Sequence, residues 1–363
     1  HIGSGNFLQN NIEFIRRQED DLTWAGVVDP QKVFDIVGET GINEWVSIID
    51  RGDDLMTYIE KRKPGVKLED ICGRVMEIDA EVRNFISLKE LIHNGMGLPY
   101  IPGSSIKGSM RSAIFNREIR DAGKRIEKNK IFEQNRRGRK ANGRLLENEL
   151  FGRDPKEDIF RFLHVGDAHF DKDETLAVNL KSLNIIKNGH KVVLDDKVQQ
   201  LVEVLDEEVE VNLDMKIDNQ LVEYNYRKGK IYKNPVWLSS LEKLFAQVNQ
   251  NTKELLEEEI EFWKTDESFD AVARYISRLS NILEEVNACN GNECITRLGH
   301  GTGWTFINGA WVKNDEIVSD TLYEEIVDHT RFRNDQYKSY SFPKTRRVIE
   351  DVDLLGFVKL KLG

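Results

Sequence analysis

Cysteine is scarce, with three residues in a chain of 363. Cys289 and Cys294 are spaced C-x4-C and Cys72 is remote, which rules out a disulfide framework. The same spacing falls short of the four paired ligands of a structural zinc site. Buried or loop thiols are the better reading, and a Cys289–Cys294 disulfide is not expected in a reducing cytosol. No apolar run approaches the roughly 20 residues of a membrane-spanning helix, and no charged-then-apolar leader opens the sequence. The expectation is a cytoplasmic protein without membrane contact. Catalytic patterns are also missing. G-x-S-x-G, H-E-x-x-H and G-x-x-x-x-G-K-[ST] do not occur, and the seven histidines are scattered. His164 and His169 flank Asp167, but residues five apart on a strand face opposite sides. No metal and no cofactor are expected.

Charge is abundant and unevenly spread. Lys, Arg, Asp and Glu make up 32% of the chain and the net charge is −11. From Ser105 to Arg144, however, 13 Lys/Arg face 4 Asp/Glu, a local +9 that leaves −20 for the remainder. A basic track on an acidic body suits RNA or DNA; a solvated helix followed by a disordered basic loop has the same composition.

The length suggests two domains at about 100–200 residues each, taken as 1–200 and 201–363. Asp29-Pro30 provides an N-cap and a first-turn proline for a helix over Gln31–Val37. A second short helix is expected over Asp53–Lys63, and alternation over Met76–Val82 predicts a half-buried strand. Ser104 or Ser105 is placed to cap a helix from Ile106 to about Ala122. Glu133–Arg144 reads as a mobile basic loop, Leu145–Phe151 as a helix and Ile159–Phe170 as a strand. Strands are predicted over Val209–Ile217, Leu221–Tyr226 and Lys230–Val236. A helical insertion is expected near 239–288, then a glycine-rich loop at 299–303, a helix over Asp320–Asp328 and a last strand over Gly356–Leu362. His1–Gly5 reads as the end of a strand entering a turn, with a strand before it expected to be missing. This order predicts an α+β fold with two RRM-like (ferredoxin-like) domains and a helical insertion.

Three segments carry candidate ligand chemistry. In the first, Gly103 would let the backbone approach a ligand and Ser104 and Ser105 would offer hydroxyls. The helix N-terminus adds free N–H groups, and Lys107 and Arg111 share a helix face beside the small Gly108. This is a phosphate cradle, or else an ordinary capped helix start. In the second, Gly299, Gly301 and Gly303 alternate with larger residues and are flanked by Arg297 and Trp304, so the loop can lie along a sugar-phosphate backbone. A bulged turn is the alternative. His300 within it is a candidate base for RNA cleavage or a plain loop residue. The third is the basic patch Lys344, Arg346 and Arg347. Arg136, Arg137, Arg139 and Lys140 in the basic loop would order on RNA.

The segment Pro99–Arg111, P-Y-I-P-G-S-S-I-K-G-S-M-R, resembles the signature of the RAMP proteins of CRISPR effector complexes. His1-Ile-Gly-Ser-Gly5 resembles the turn after their first strand, and R-L-G-H-G-T-G-W over Arg297–Trp304 their C-terminal glycine-rich loop. One departure is His300, where an aromatic such as tryptophan is expected. With P-K-T-R-R and the final G-F-V-K-L, the ending is similar to the fifth Csm subunit of type III-A systems. The resemblance implies a non-catalytic subunit that binds crRNA, caps the filament of repeated backbone subunits at the crRNA 3′ end and supports 3′-end maturation and assembly. It implies the repeated backbone RAMP subunit and the small helical subunit as partners, with cellular nucleases as further candidates. The backbone subunit's catalytic aspartate has no counterpart, since Asn6–Glu13 contains none. The alternatives are a RAMP ribonuclease using His300 or Asp167 on guide precursor or target, and the corresponding type III-B subunit.

Overall fold

The computed structural model describes residues 1–81, 87–135, 138–186, 191–266, 268–330 and 342–363. Three strands open the chain: β1 (Gly3–Gln9), β2 (Phe14–Glu19) and β3 (Leu22–Val28). Helix α1 (Pro30–Arg51) follows, capped as expected by the Asp29 carboxylate, which accepts from the amides of Gln31 and Lys32. It runs past the predicted end because Gly38 takes a left-handed φ that breaks the helix without ending it. Next come α2 (Leu55–Arg62), β4 (Cys72–Asp79), β5 (Ser87–Leu91), α3 (Gly103–Ala122) and α4 (Arg144–Phe151). Two long strands, β6 (Thr175–Ile186) and β7 (Lys191–Leu205), lead into α5 (Asn219–Arg227). The expected helical insertion is a hairpin of α6 (Leu241–Lys264) and α7 (Asp270–Ala288). The chain closes with β8 (Glu293–Arg297), α8 (Asp320–Thr330), β9 (Thr345–Ile349) and β10 (Phe357–Lys361).

The fold is α+β. One mixed eight-stranded sheet has the order β1-β5-β7-β6-β4-β3-β2, with β9 added antiparallel to β6. β6 pairs β4 in parallel near its start and β9 near its end, so this one strand joins early and late parts of the chain. The expected division at residue 200 falls inside β7. β8 and β10 form a separate antiparallel pair, and Val358, Leu360 and Leu362 turn into the largest core, as the alternation predicts. That core gathers around the buried face of α3, from Ile106 and Met110 to Ile119. A second core lies under the α6–α7 hairpin, and a third under α1 and α2.

Several expected strands are not strands. Leu221–Tyr226 belongs to α5, because the Asp218 carboxylate accepts from the Leu221 amide and starts a helix there. Lys230–Val236 is irregular, and only Met215–Ile217 of the 209–217 segment pairs. Ile159–Phe162 is a 3-10 turn capped by Asp158. Two short strands, Leu163–Val165 and Ala168–His169, follow it and place His164 and His169 on different pairings. The described part of the basic loop forms a hairpin, with Phe132–Asn135 against Gly138–Ala141. His1–Gly5 leads into β1, an edge strand on β5 with a bulge between Gly3 and Phe7, rather than ending a strand.

Candidate RNA interface

Helix α3 begins one turn earlier than the serines suggested. Pro102 is its N-cap, and the Asp167 carboxylate accepts from the Gly103 amide at 2.7 Å. Gly103 is glycine for an internal reason: a Cβ there would overlap the carbonyl oxygens of Val165 and Gly166. Close approach is therefore to the protein's own chain and not to a ligand. Ser104 is left exposed and Ser105 half-buried on the first turn. Two grooves flank this turn and share Ser104 and Lys107 as walls. One, of about 510 Å³, includes Arg111, Arg153 and Arg161. The other, of about 740 Å³, includes His164 and Lys216. Gly108 opens onto the first, where a side chain would meet nothing. Lys107 Nζ donates to the Leu163 carbonyl at 2.8 Å. Arg111 is committed elsewhere. Its guanidinium donates to both Asp158 oxygens and stands 4.4 Å from the Phe151 ring centroid, so it anchors the groove wall more than it offers a free charge.

The second glycine-rich loop lies against the first. Ser109 on α3 donates to the Arg297 carbonyl at 3.0 Å, and the His300 amide donates to the His1 carbonyl at 2.8 Å. Gly299 has a φ of +86°, and a Cβ on it would overlap that same His1 carbonyl, so only glycine lets the loop seat on the start of β1. Three segments far apart in sequence thus meet in one place. The third patch joins them, because a Cβ on Gly301 would come to 3.3 Å from Arg347 Cβ. Lys89 Nζ, on β5, lies 3.0 Å from His300 Nδ1. The lysine donates, so the imidazole accepts as the neutral form. Burial, then Lys89 and Arg347, push the His300 pKa down to about 4. Burial and Arg347 likewise lower that of Lys89. Among the described residues, no carboxylate lies within ion-pair distance of Lys89, Arg347 or Lys107. Lys89 and Arg347, close together beside His300 on a protein of net charge −11, make a site suited to anions.

Two predicted contacts are instead internal. Arg297 is buried between the rings of Phe306 and Phe357 and donates from Nε to the Leu355 carbonyl at 3.0 Å. Arg346 is buried in an ion pair with Glu259. Both point inward because their strands, β8 and β9, alternate faces, and only Arg347 of the Arg346–Arg347 pair reaches the cation cluster. Gly303 closes the loop with a left-handed φ. Lys344 is half-buried, and its carbonyl accepts from the Ile185 amide. Arg136 and Arg137 lie outside the described residues, as do the side chains of Arg139 and Lys140. Lys89 and Lys216 are missing from the sequence reading. Nothing local marks them, since Lys89 gains its meaning only from residues more than 200 positions away. Among the described residues, no group of three or more His, Cys, Asp or Glu is placed to hold a metal.

The depressed His300 pKa has a consequence for stability. Below pH about 6.5 an unfolded chain takes up a proton that the folded imidazole accepts only near pH 4. The stability of the wild type relative to His300→Asn is therefore expected to be full above pH 6.5 and to fall as pH is lowered towards 4, read by denaturant unfolding at a series of pH values. A pH-independent difference would contradict it.

The RAMP superfamily model matches residues 1–306. The chain belongs to the RAMP superfamily. No curated protein matches it by sequence. Among solved structures, this RAMP chain is similar to a chain in the cryo-EM structure of a Csm–crRNA–target RNA ternary complex of a type III-A CRISPR–Cas system. The TM-score is 0.68 at 16% identity, covering 100% of this chain and 97% of that one. It is also similar to the crystal structure of T. onnurineus Csm5, with a TM-score of 0.65 at 18% identity over 99% and 97% of the two chains. At those identities the likeness is one of fold, and it extends over the whole RAMP chain.

Proposed function

We propose that this RAMP protein is the crRNA-binding, Csm5-like subunit of a type III-A CRISPR–Cas effector complex in the cytoplasm. In this reading it binds guide backbone without cleaving it, caps the filament of repeated backbone subunits at the crRNA 3′ end, and supports 3′-end maturation and assembly in antiviral defence. The repeated RAMP subunit and the small helical subunit are its neighbours, and cellular nucleases are proposed as recruited partners. The observation that carries the reading is the seating of the Gly299–Gly303 loop on the His1 carbonyl beside Lys89 and Arg347, which among the described residues have no carboxylate within ion-pair distance. Full-length fold likeness to Csm5 supports the subunit assignment. A binding role also suits the groups a nuclease would need, since Asp167 is occupied in capping α3 and His300 in accepting from Lys89.

Lys107 and Arg111 separate the proposal from a merely structural account. Lys107→Ala is expected to weaken crRNA retention in assembled complexes, with the salt slope of RNA binding falling by about 0.7 for one lost phosphate contact on single-stranded RNA. Arg111→Ala is expected instead to lower thermal stability, because it leaves Asp158 unpaired, while its own effect on the salt slope is small. Unchanged crRNA retention and length in Lys107→Ala complexes would count against the proposal. Incubating the protein with guide precursor, with and without Mg²⁺, tests the ribonuclease alternative: cleavage lost in His300→Ala or Asp167→Ala would replace the binding reading.

A further inference from the structure

Beyond the grooves, α5 and the segment after it expose apolar surface that the fold does not use. Leu221 and Tyr224 on α5 and Lys228 at its C-cap follow a spacing of three and four and share the outward face, while Val222 and Asn225 are buried. Tyr224 is 52% exposed and Tyr232 is 74% exposed. Large aromatics left in water at this level have no packing reason to be there. The segment is nonetheless held in place. The amides of Lys228, Gly229 and Lys230 donate back to α5 carbonyls, and Ile231 and Trp237 are buried in the largest core. The rings are therefore presented from an anchored support.

The charge around the rings selects the kind of partner. Lys230 Nζ lies 5.7 Å from the Tyr224 ring centroid. Lys228, Lys230 and Lys233 have no carboxylate within ion-pair distance among the described residues, whereas Arg227 is paired with Glu223. Exposed tyrosines interleaved with unpaired lysines suit nucleobases stacked on rings with phosphates beside them. The platform is also continuous with the grooves. Arg161, which lines the groove of Arg111, donates to Asn225 Oδ1 on α5 at 3.0 Å. Lys216, which lines the other groove, stands three residues before the first residue of α5.

We infer that Tyr224 and Tyr232, with Lys228, Lys230 and Lys233, form a stacking platform for single-stranded RNA that extends the bound strand beyond the grooves. The inference rests on the RNA-binding reading given above and adds a second contact region adjoining the grooves.

The test uses the full chain with fluorescent oligouridylates of about 8 and about 24 nucleotides, against site sizes of ~4–16 nucleotides for single-strand-binding folds. Tyr224→Ala with Tyr232→Ala is expected to weaken the long oligomer about tenfold or more, since each stacked base contributes on the order of tenfold. The short oligomer, held by the grooves, is expected to bind unchanged, and Tyr224→Phe with Tyr232→Phe to behave as wild type. Both rings are exposed, so these variants keep the fold, as an unchanged melting temperature will verify. Equal binding of the long oligomer by the alanine variant and wild type overturns the inference, and so does equal loss on both lengths. Lys107→Ala, which alters a wall shared by both grooves, is run in parallel and reports on the groove reading separately. If that variant leaves both lengths unaffected while the tyrosine variant loses the long one, the platform stands and the groove reading fails.

Discussion

Arg346→Ala is expected to destabilise the protein by about 3–5 kcal/mol, the usual result of leaving one partner of a buried ion pair uncompensated. Glu259 is 1% exposed. Its carboxylate accepts from Arg346, from Trp263 Nε1 at 2.9 Å and from the Tyr275 hydroxyl at 3.0 Å. Burial alone would raise its pKa, but the charge and hydrogen bonds of Arg346 hold it below the usual carboxylate range. The pair ties the α6–α7 hairpin to β9 and so to the central sheet. Without Arg346, Glu259 must stay charged in an apolar site or take up a proton there. At about 2 °C per kcal/mol, the low end of the range for chains of about 150–250 residues, the melting temperature should drop by roughly 6–10 °C. The sign with pH follows from the lowered carboxylate pKa: the pair's contribution is present above about pH 4.5 and is lost as pH falls through the folded value. Replacing both partners, Glu259→Leu with Arg346→Met, should recover part of the loss, since apolar substitutes leave no buried charge. If Arg346 were instead a phosphate contact, Arg346→Ala would leave the melting temperature nearly unchanged and weaken RNA binding, which thermal unfolding and anisotropy together would reveal.

The opposite pattern is expected at the cation cluster. Lys89→Ala with Arg347→Ala should weaken single-stranded RNA binding on the order of a hundredfold, taking about 1.5 kcal/mol for each charge-assisted hydrogen bond. The slope of log affinity against log salt should fall by roughly 1.4 for two lost phosphate contacts. Stability should change little. Neither side chain has a carboxylate partner among the described residues, and Arg347 adds to the burial that lowers the pKa of Lys89 while both cations add to the burial that lowers that of His300, so removing them relieves repulsion even as the Arg347–Ser182 hydrogen bond is lost. Fluorescence anisotropy at several salt concentrations checks the first claim and calorimetry the second. Wild-type affinity and salt slope in the double variant would remove the basis of the proposed function.

The two arginines of Arg346–Arg347 show where a sequence stops being informative. Both are cations in a short basic patch, and composition treats them alike. On β9 they alternate faces, so one closes a buried ion pair under the helical hairpin and the other stands beside His300 and Lys89. The same limit explains Leu221–Tyr226, which its place before the Lys228-Gly229 turn suggests as one strand of a hairpin and which the Asp218 cap makes a helix with two buried positions and an outward tyrosine.

Local chemistry determined by itself the helix caps at Asp29, the α3 helix, the α6–α7 insertion, the last strand with its inward Val358, Leu360 and Leu362, the α+β class and the three glycine-rich landmarks. Each of these depends on residues within a few positions of one another, where dihedral preference and side-chain period act. Only the tertiary structure decided that the landmarks meet, that Gly103 and Gly299 are glycine to clear the chain's own carbonyls, and which cations face inward. It also decided that Lys89, unremarkable on a five-residue strand, belongs with His300 and Arg347. Those outcomes depend on strand pairing and packing between segments up to some 300 residues apart, and no local pattern encodes which distant residue will be the neighbour.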